Sequence, residues 1–178
     1  RTNNLINNAC SAPIMKLKEI LGIIEKNPAY KDWRKQHAEA FLAHAFVMLD
    51  EENKNIWQIG YFDEKANTMS TFVVENDKIS VIPDQEVLKA EQKILMLKPE
   101  DVIVSVVDAL AAAQKTRIEH YGKEQPIKSF FIIQNIEAHG PVFNITFFTA
   151  TFKTINIKIS TTKGEAVHHS MQALAAFG

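Results

Sequence analysis

The stretch Ile56–Phe62, IWQIGYF, decides how this chain is read. At Val142, 86 positions on, the sequence reads VFNITFF. Bulky residues fall on bulky ones, Gln58 falls on Asn144, Ile59 on Ile145 and Tyr61 on Phe147. The alignment extends both ways without a gap, so each half reads as a copy of one unit. Both stretches alternate with a period of two, the signature of a strand with two unlike faces. Trp57, Ile59 and Tyr61 share one face, as do Phe143, Ile145 and Phe147, and these are the expected core of a sheet packed on helices.

Working outward, Pro13 suits the first turn of a helix, and Leu17, Ile20, Leu21 and Ile24 follow at helical spacing. Asn27-Pro28 interrupts that helix, and a second piece carries Tyr30 and Trp33 on one side. From Ala40 the period becomes two. Four strands are predicted, Phe41 to Leu49, Ile56 to Phe62, Thr68 to Val74 and Ile79 to Ile82, joined by short polar turns. Pro83 is expected to end the fourth, and Asp84 to cap a short helix from Gln85 to Met96. The second half repeats this order. Pro99 opens a helix whose Ile103, Val106, Val107 and Leu110 match the first stripe one for one. Strands are predicted at Lys128 to Ile136, Val142 to Thr149, Thr154 to Ser160 and Ala166 to His168, with Gly140-Pro141 and Lys163-Gly164 as turns. Ser170, matching Asp84, is expected to cap a final short helix.

The expected fold is therefore α+β: two tandem repeats, each an N-terminal helix packed on a four-stranded antiparallel meander sheet followed by a short helix. Residues 1–12, rich in Asn, read as a poorly ordered lead-in, 13–96 as the first repeat and 97–178 as the second. Units of about 80 residues sit near the lower size for a comfortable core, so the halves are expected to pack on each other.

Composition narrows the function. A net charge of −1 with mixed signs argues against non-specific nucleic-acid binding. No apolar run approaches the ~20 residues of a transmembrane helix, and no signal-peptide core is visible. Arg1 in place of Met fits a mature or trimmed product. Cys10 is the single cysteine, so no internal disulfide framework is expected, and Asn7-Asn8-Ala9 before it lacks the apolar run of a lipid-anchoring cysteine. The six histidines do not fall into ligand spacing; His168 and His169 are adjacent and point to opposite faces of a strand. No Gly-x-Ser-x-Gly and no phosphate-cradling glycine loop occurs. Neither a catalytic residue, a metal site nor a cofactor is predicted.

The remaining signal is the second face of the strands. It carries Gln58, Gly60 and Phe62 in one half and Asn144, Thr146 and Phe148 in the other. Beside them, in one phase, lie His44, Phe46 and Met48, then Phe130, Ile132 and Gln134. This face is neither charged like a solvated surface nor purely apolar like a core. It is expected to be covered, foremost by the sister unit and otherwise by a ligand or peptide, with His44, Gln58, Asn144 and Thr146 as its contact residues.

The second half also resembles a PepSY domain. The resembling residues are Leu97-Lys98-Pro99-Glu100-Asp101 at the helix opening, Phe143-Asn144-Ile145-Thr146-Phe147, and the end INIKISTTKGEAV, Ile155 to Val167. Ser160 stands where the family usually has aspartate, and Gly164 matches its turn glycine. The resemblance implies a helix on a twisted antiparallel sheet of cystatin-like shape, and inhibitory or regulatory protein binding without catalysis, often outside the cytoplasm. The leading expectation is a non-catalytic binding or regulatory module for a protein, peptide or small ligand. One alternative is a small-molecule binder or enzyme with a pocket under the curved sheet, for which His44, Gln58 and Asn144 would have to converge. The other is a structural module that dimerises through strand edges.

Overall fold

The alternation read from Phe41 onward is realised as one antiparallel sheet of eight strands. The computed structural model describes residues 15–87 and 92–174. Two helices come first, α1 (Leu17–Lys26) and α2 (Pro28–Gln36). Then follow β1 (Phe41–Met48), β2 (Ile56–Asp63), β3 (Thr68–Glu75) and β4 (Lys78–Glu86). A 3₁₀ turn (Pro99–Asp101) leads to α3 (Val106–Tyr121), and β5 (Pro126–Ile136), β6 (Gly140–Thr149), β7 (Lys153–Ser160) and β8 (Ala166–Ala173) complete the order.

Leu17, Ile20, Leu21 and Ile24 form the buried stripe of α1. Asn27 ends that helix and starts the next: its side chain accepts from the Ala29 N–H at 2.9 Å, with Pro28 at the first helical position. Asn76 and Asp77 both take positive φ, the conformation a two-residue hairpin between Glu75 and Lys78 requires.

The strand order is β4-β3-β2-β1-β5-β6-β7-β8. The two meanders thus join through β1 and β5, with Ala45 opposite Ile133 and Val47 opposite Phe131. The helices cover one face. Beneath them lies a single core, including Ile20, Ile24, Trp57, Ile59, Phe72, Leu110, Phe131, Phe143, Ile145 and Phe147.

Four expectations are corrected. First, Pro83 does not end β4, which runs on to Glu86. The strand is an edge strand with a bulge opposite Ser70, and a missing N–H costs little there. Second, the helix expected over 85–96 is absent where it can be checked: Gln85 and Glu86 belong to β4, and 92–98 is irregular, with Leu97 N–H donating to the Leu42 carbonyl at 2.8 Å. Third, α3 begins at Val106, not near Pro99. The run Val102-Ile103-Val104 is β-branched, and two of its N–H groups donate to the Thr161 carbonyl, at 3.0 Å from Ile103 and 2.8 Å from Val104. Ser105 is the cap, accepting from the Asp108 N–H at 3.1 Å. Ile103 and Val107 are consequently 73% and 40% exposed, and the buried stripe is Val106, Ala109, Leu110, Ala113 and Arg117. Fourth, Ser170 caps no helix; it lies within β8 opposite Asn156. The lead-in over 1–12, with Cys10, lies outside the described residues, as does Pro13.

Candidate binding face

In an antiparallel sheet, residues opposite one another point to the same side. The pairings therefore trace rows across the molecule. One row spans all eight strands: Ser80, Val73, Gln58, Phe46, Ile132, Asn144, Lys158, His168. A second holds Gly60, His44 and Gln134, and a third Phe130, Thr146 and Asn156. All four residues singled out in the sequence, His44, Gln58, Asn144 and Thr146, stand on this face, in three adjacent rows. In the first and third rows the side chains from β1 to β7 are half-buried, whereas their sequence neighbours on the helix side are buried. The expectation that the sister unit covers this face is corrected. The halves meet edge to edge through backbone pairing of β1 and β5, so the second half extends the face instead of closing it.

Three local arrangements shape the face. His44 lies flat against Gly60: a Cβ at that glycine would sit 2.2 Å from His44 Cε1. Burial lowers the pKa of this imidazole, favouring the neutral ring. Next, a run of aromatic rings crosses the junction, Phe46 to Phe130 at 5.4 Å and Phe130 to Phe148 at 5.9 Å between centroids. Finally, the second half carries a polar ladder. Asn156 Nδ2 donates to Asn144 Oδ1 at 2.5 Å and to Thr146 Oγ1 at 3.0 Å, and Lys158 Nζ donates to Asn156 Oδ1 at 2.7 Å. Asn144 and Thr146 are thus joined by a residue the sequence reading did not select. Its signal was present, since Thr154, Asn156, Lys158 and Ser160 alternate with the buried isoleucines of β7.

At one end of the face, residues 92–95 and the β5–β6 connection border a cleft of about 600 Å³ lined by His44, Met69 and Gln134. Gln58 and Asn144 do not line it, so the three residues that a pocket reading needed do not converge.

On the helix side, His37 bridges two carboxylates: Nδ1 lies 3.2 Å from Asp63 and Nε2 lies 3.4 Å from Asp84. Ser70, buried, donates to Asp84 and accepts from Trp33 Nε1 at 3.0 Å. The serine faces a carboxylate and not an imidazole nitrogen, so this group ties α2 to the sheet instead of activating a hydroxyl. Among the described residues, no three His, Cys, Asp or Glu side chains are placed to hold one metal ion. No described helix is long and apolar enough to cross a membrane.

No protein-family model matches this chain, and no curated protein matches it. A solved structure is similar: that of a candidate lipoprotein from Clostridium difficile 630, with a TM-score of 0.52 and 15% identity. The match covers 81% of this chain and 90% of that one. At this identity the likeness is one of fold.

Proposed function

We propose that this chain is a non-catalytic binding or regulatory module of PepSY-like type, built from two tandem repeats, that holds a protein or peptide partner on the open face of its sheet. The observation that carries the reading is the face itself. It runs unbroken across eight strands, bears half-buried Phe46, Ile132, Phe130 and Phe148, and has none of the described helices over it. Apolar surface of that extent on a soluble domain ordinarily marks a contact site.

The duplication is supported by register. Ala45 pairs with Ile59 as Phe131 pairs with Ile145, and Phe46 with Gln58 as Ile132 with Asn144, each 86 positions on. The PepSY-like reading is supported by the end of β7. Ser160 Oγ accepts from the Lys163 N–H at 3.2 Å ahead of Gly164, whose φ is 72°. The aspartate usual in the family would accept the same bond, so the serine is a mild departure. A location outside the cytoplasm goes with this reading, and the likeness to a candidate lipoprotein agrees with it.

The test is the double variant Gln58→Arg, Asn144→Arg. Wild-type and variant chains would be cross-linked in an extract of the native source. A partner retained by wild type and lost by the variant, with melting unchanged, supports the reading; identical retention overturns it. A second reading, a small ligand in the cleft beside His44, predicts instead that the double variant binds normally and that His44→Ala does not.

A further inference from the structure

The two edges of the sheet are built differently. β4, KISVIPDQE, carries Lys78, Asp84 and Glu86, and Pro83 removes a donor. Charges and proline on an edge block further strand pairing. β8, AVHHSMQA, has no proline, lysine or carboxylate. It ends the sheet, and Val167 and Met171 on it are 40% and 39% exposed. No described residue outside β7 and its flanking turns hydrogen-bonds to its backbone.

Beside this edge the open face carries a lysine and two imidazoles. Lys158 and His168 are directly opposite one another, and the His139 ring lies 5.4 Å from that of His168. Lys158 donates to Asn156 and forms no ion pair among the described residues. Burial holds the lysine below its ordinary pKa. His168 is lowered by burial, then by Lys158, His139 and His169, and no carboxylate offsets them. One lysine and two imidazoles therefore gather at an unguarded strand edge, and the lysine has no ion-pair partner among the described residues.

We propose that β8 is the docking edge for an extended acidic peptide segment of a partner protein, which adds as a ninth strand and sets a carboxylate against Lys158 and His168. The inference rests on the open-face reading and gives its partner a chemistry. A paired strand would place alternate side chains about 5 Å from His168 on the open face. On the other side it meets Met171, so acidic residues should alternate with apolar ones. A second copy of this chain is a poor occupant, because β8 against β8 brings histidines to histidines and supplies no carboxylate. A nucleic acid suits neither the edge geometry nor a net charge of −1.

The experiment titrates the ¹⁵N-labelled chain with three capped eight-residue peptides: alternating Val-Glu, Val-Gln and Val-Lys. The Val-Glu peptide should shift and protect the β8 amides and bind at least about tenfold more tightly than the others. Lys158→Ala with His168→Ala should reduce it to the Val-Gln level without changing the melt. N-methylation of its central residues should abolish binding. Equal binding of all three, no binding at millimolar peptide, shifts at β4, or a β8-mediated dimer would each overturn the proposal. If the Val-Glu peptide fails while Gln58→Arg, Asn144→Arg still loses its partner, the edge proposal falls and the open-face reading stands. If the peptide binds and that double variant keeps every partner, the reverse holds.

Discussion

Gly60 has no room for a side chain because the His44 imidazole occupies it. Gly60→Ala forces the ring or the strand to move, at a cost of roughly 1–3 kcal/mol. The same substitution in a His44→Ala background should cost far less, and a double-mutant cycle by urea melts would read the coupling. Additive losses would show that the contact is not what makes the glycine necessary. On the opposite side of the sheet, Trp57 and Phe143 occupy equivalent central positions and are fully buried. Alanine at either should cost about 3–5 kcal/mol, measured as a drop in unfolding free energy. An unchanged melt would remove them from the core. These roles were legible in the sequence, because a period of two separates Trp57, Ile59 and Tyr61 from Gln58 and Gly60 without any structure. The Gly60–His44 contact was not, since it depends on the register between two strands. The same period places Asn156 on the open face, but its bonds to Asn144 and Thr146 depend on register in the same way.

Among elements, strands were more legible than helices. All eight strands were read, because alternation marks them locally. The helix expected from Gln85 rested on the Asp84 cap and an apolar stripe, and the one at Ser170 on a cap matching Asp84; strand pairing instead takes Gln85 and Glu86 into β4 and 170–173 into β8. For α3 the proline at 99 was taken as the start. The stronger signal was Ser105-Val106-Val107-Asp108, a serine cap with an acid three residues on. The attachment of α2 was illegible, because His37, Asp63 and Asp84 are distant in sequence. Asp63 is held below the ordinary carboxylate pKa, first by the Ala66 N–H and then by His37. A lowered folded-state pKa means that the stabilisation is complete above the ordinary value and lost as pH falls through the lowered one. The difference in melting temperature between wild type and Asp63→Asn should be widest near neutrality and close below about pH 4. A difference independent of pH would remove Asp63 ionisation from the attachment.

For the whole molecule, the decisive feature is that β1 and β5 pair at the centre. The halves were expected to bury the mixed face between them. Period alone tells that a face needs cover, and says nothing of whether two sheets stack or join edge to edge. The join makes one core, so unfolding should be a single transition. Trp33 and Trp57 both lie in the first half. Their fluorescence and the far-UV circular dichroism of the whole chain should therefore change together in urea. An earlier tryptophan transition would show that the halves unfold separately. The same join matters during synthesis. β1 to β4 can assemble once Glu86 has left the ribosome, but β5 ends only at Ile136. At typical elongation rates the inner edge of β1 then waits roughly 3–10 s for its partner. For that interval the nascent chain presents the most apolar strand edge of the molecule to its surroundings. Chains stalled after Glu86 should clump, whereas the completed protein has hidden that edge at its own centre.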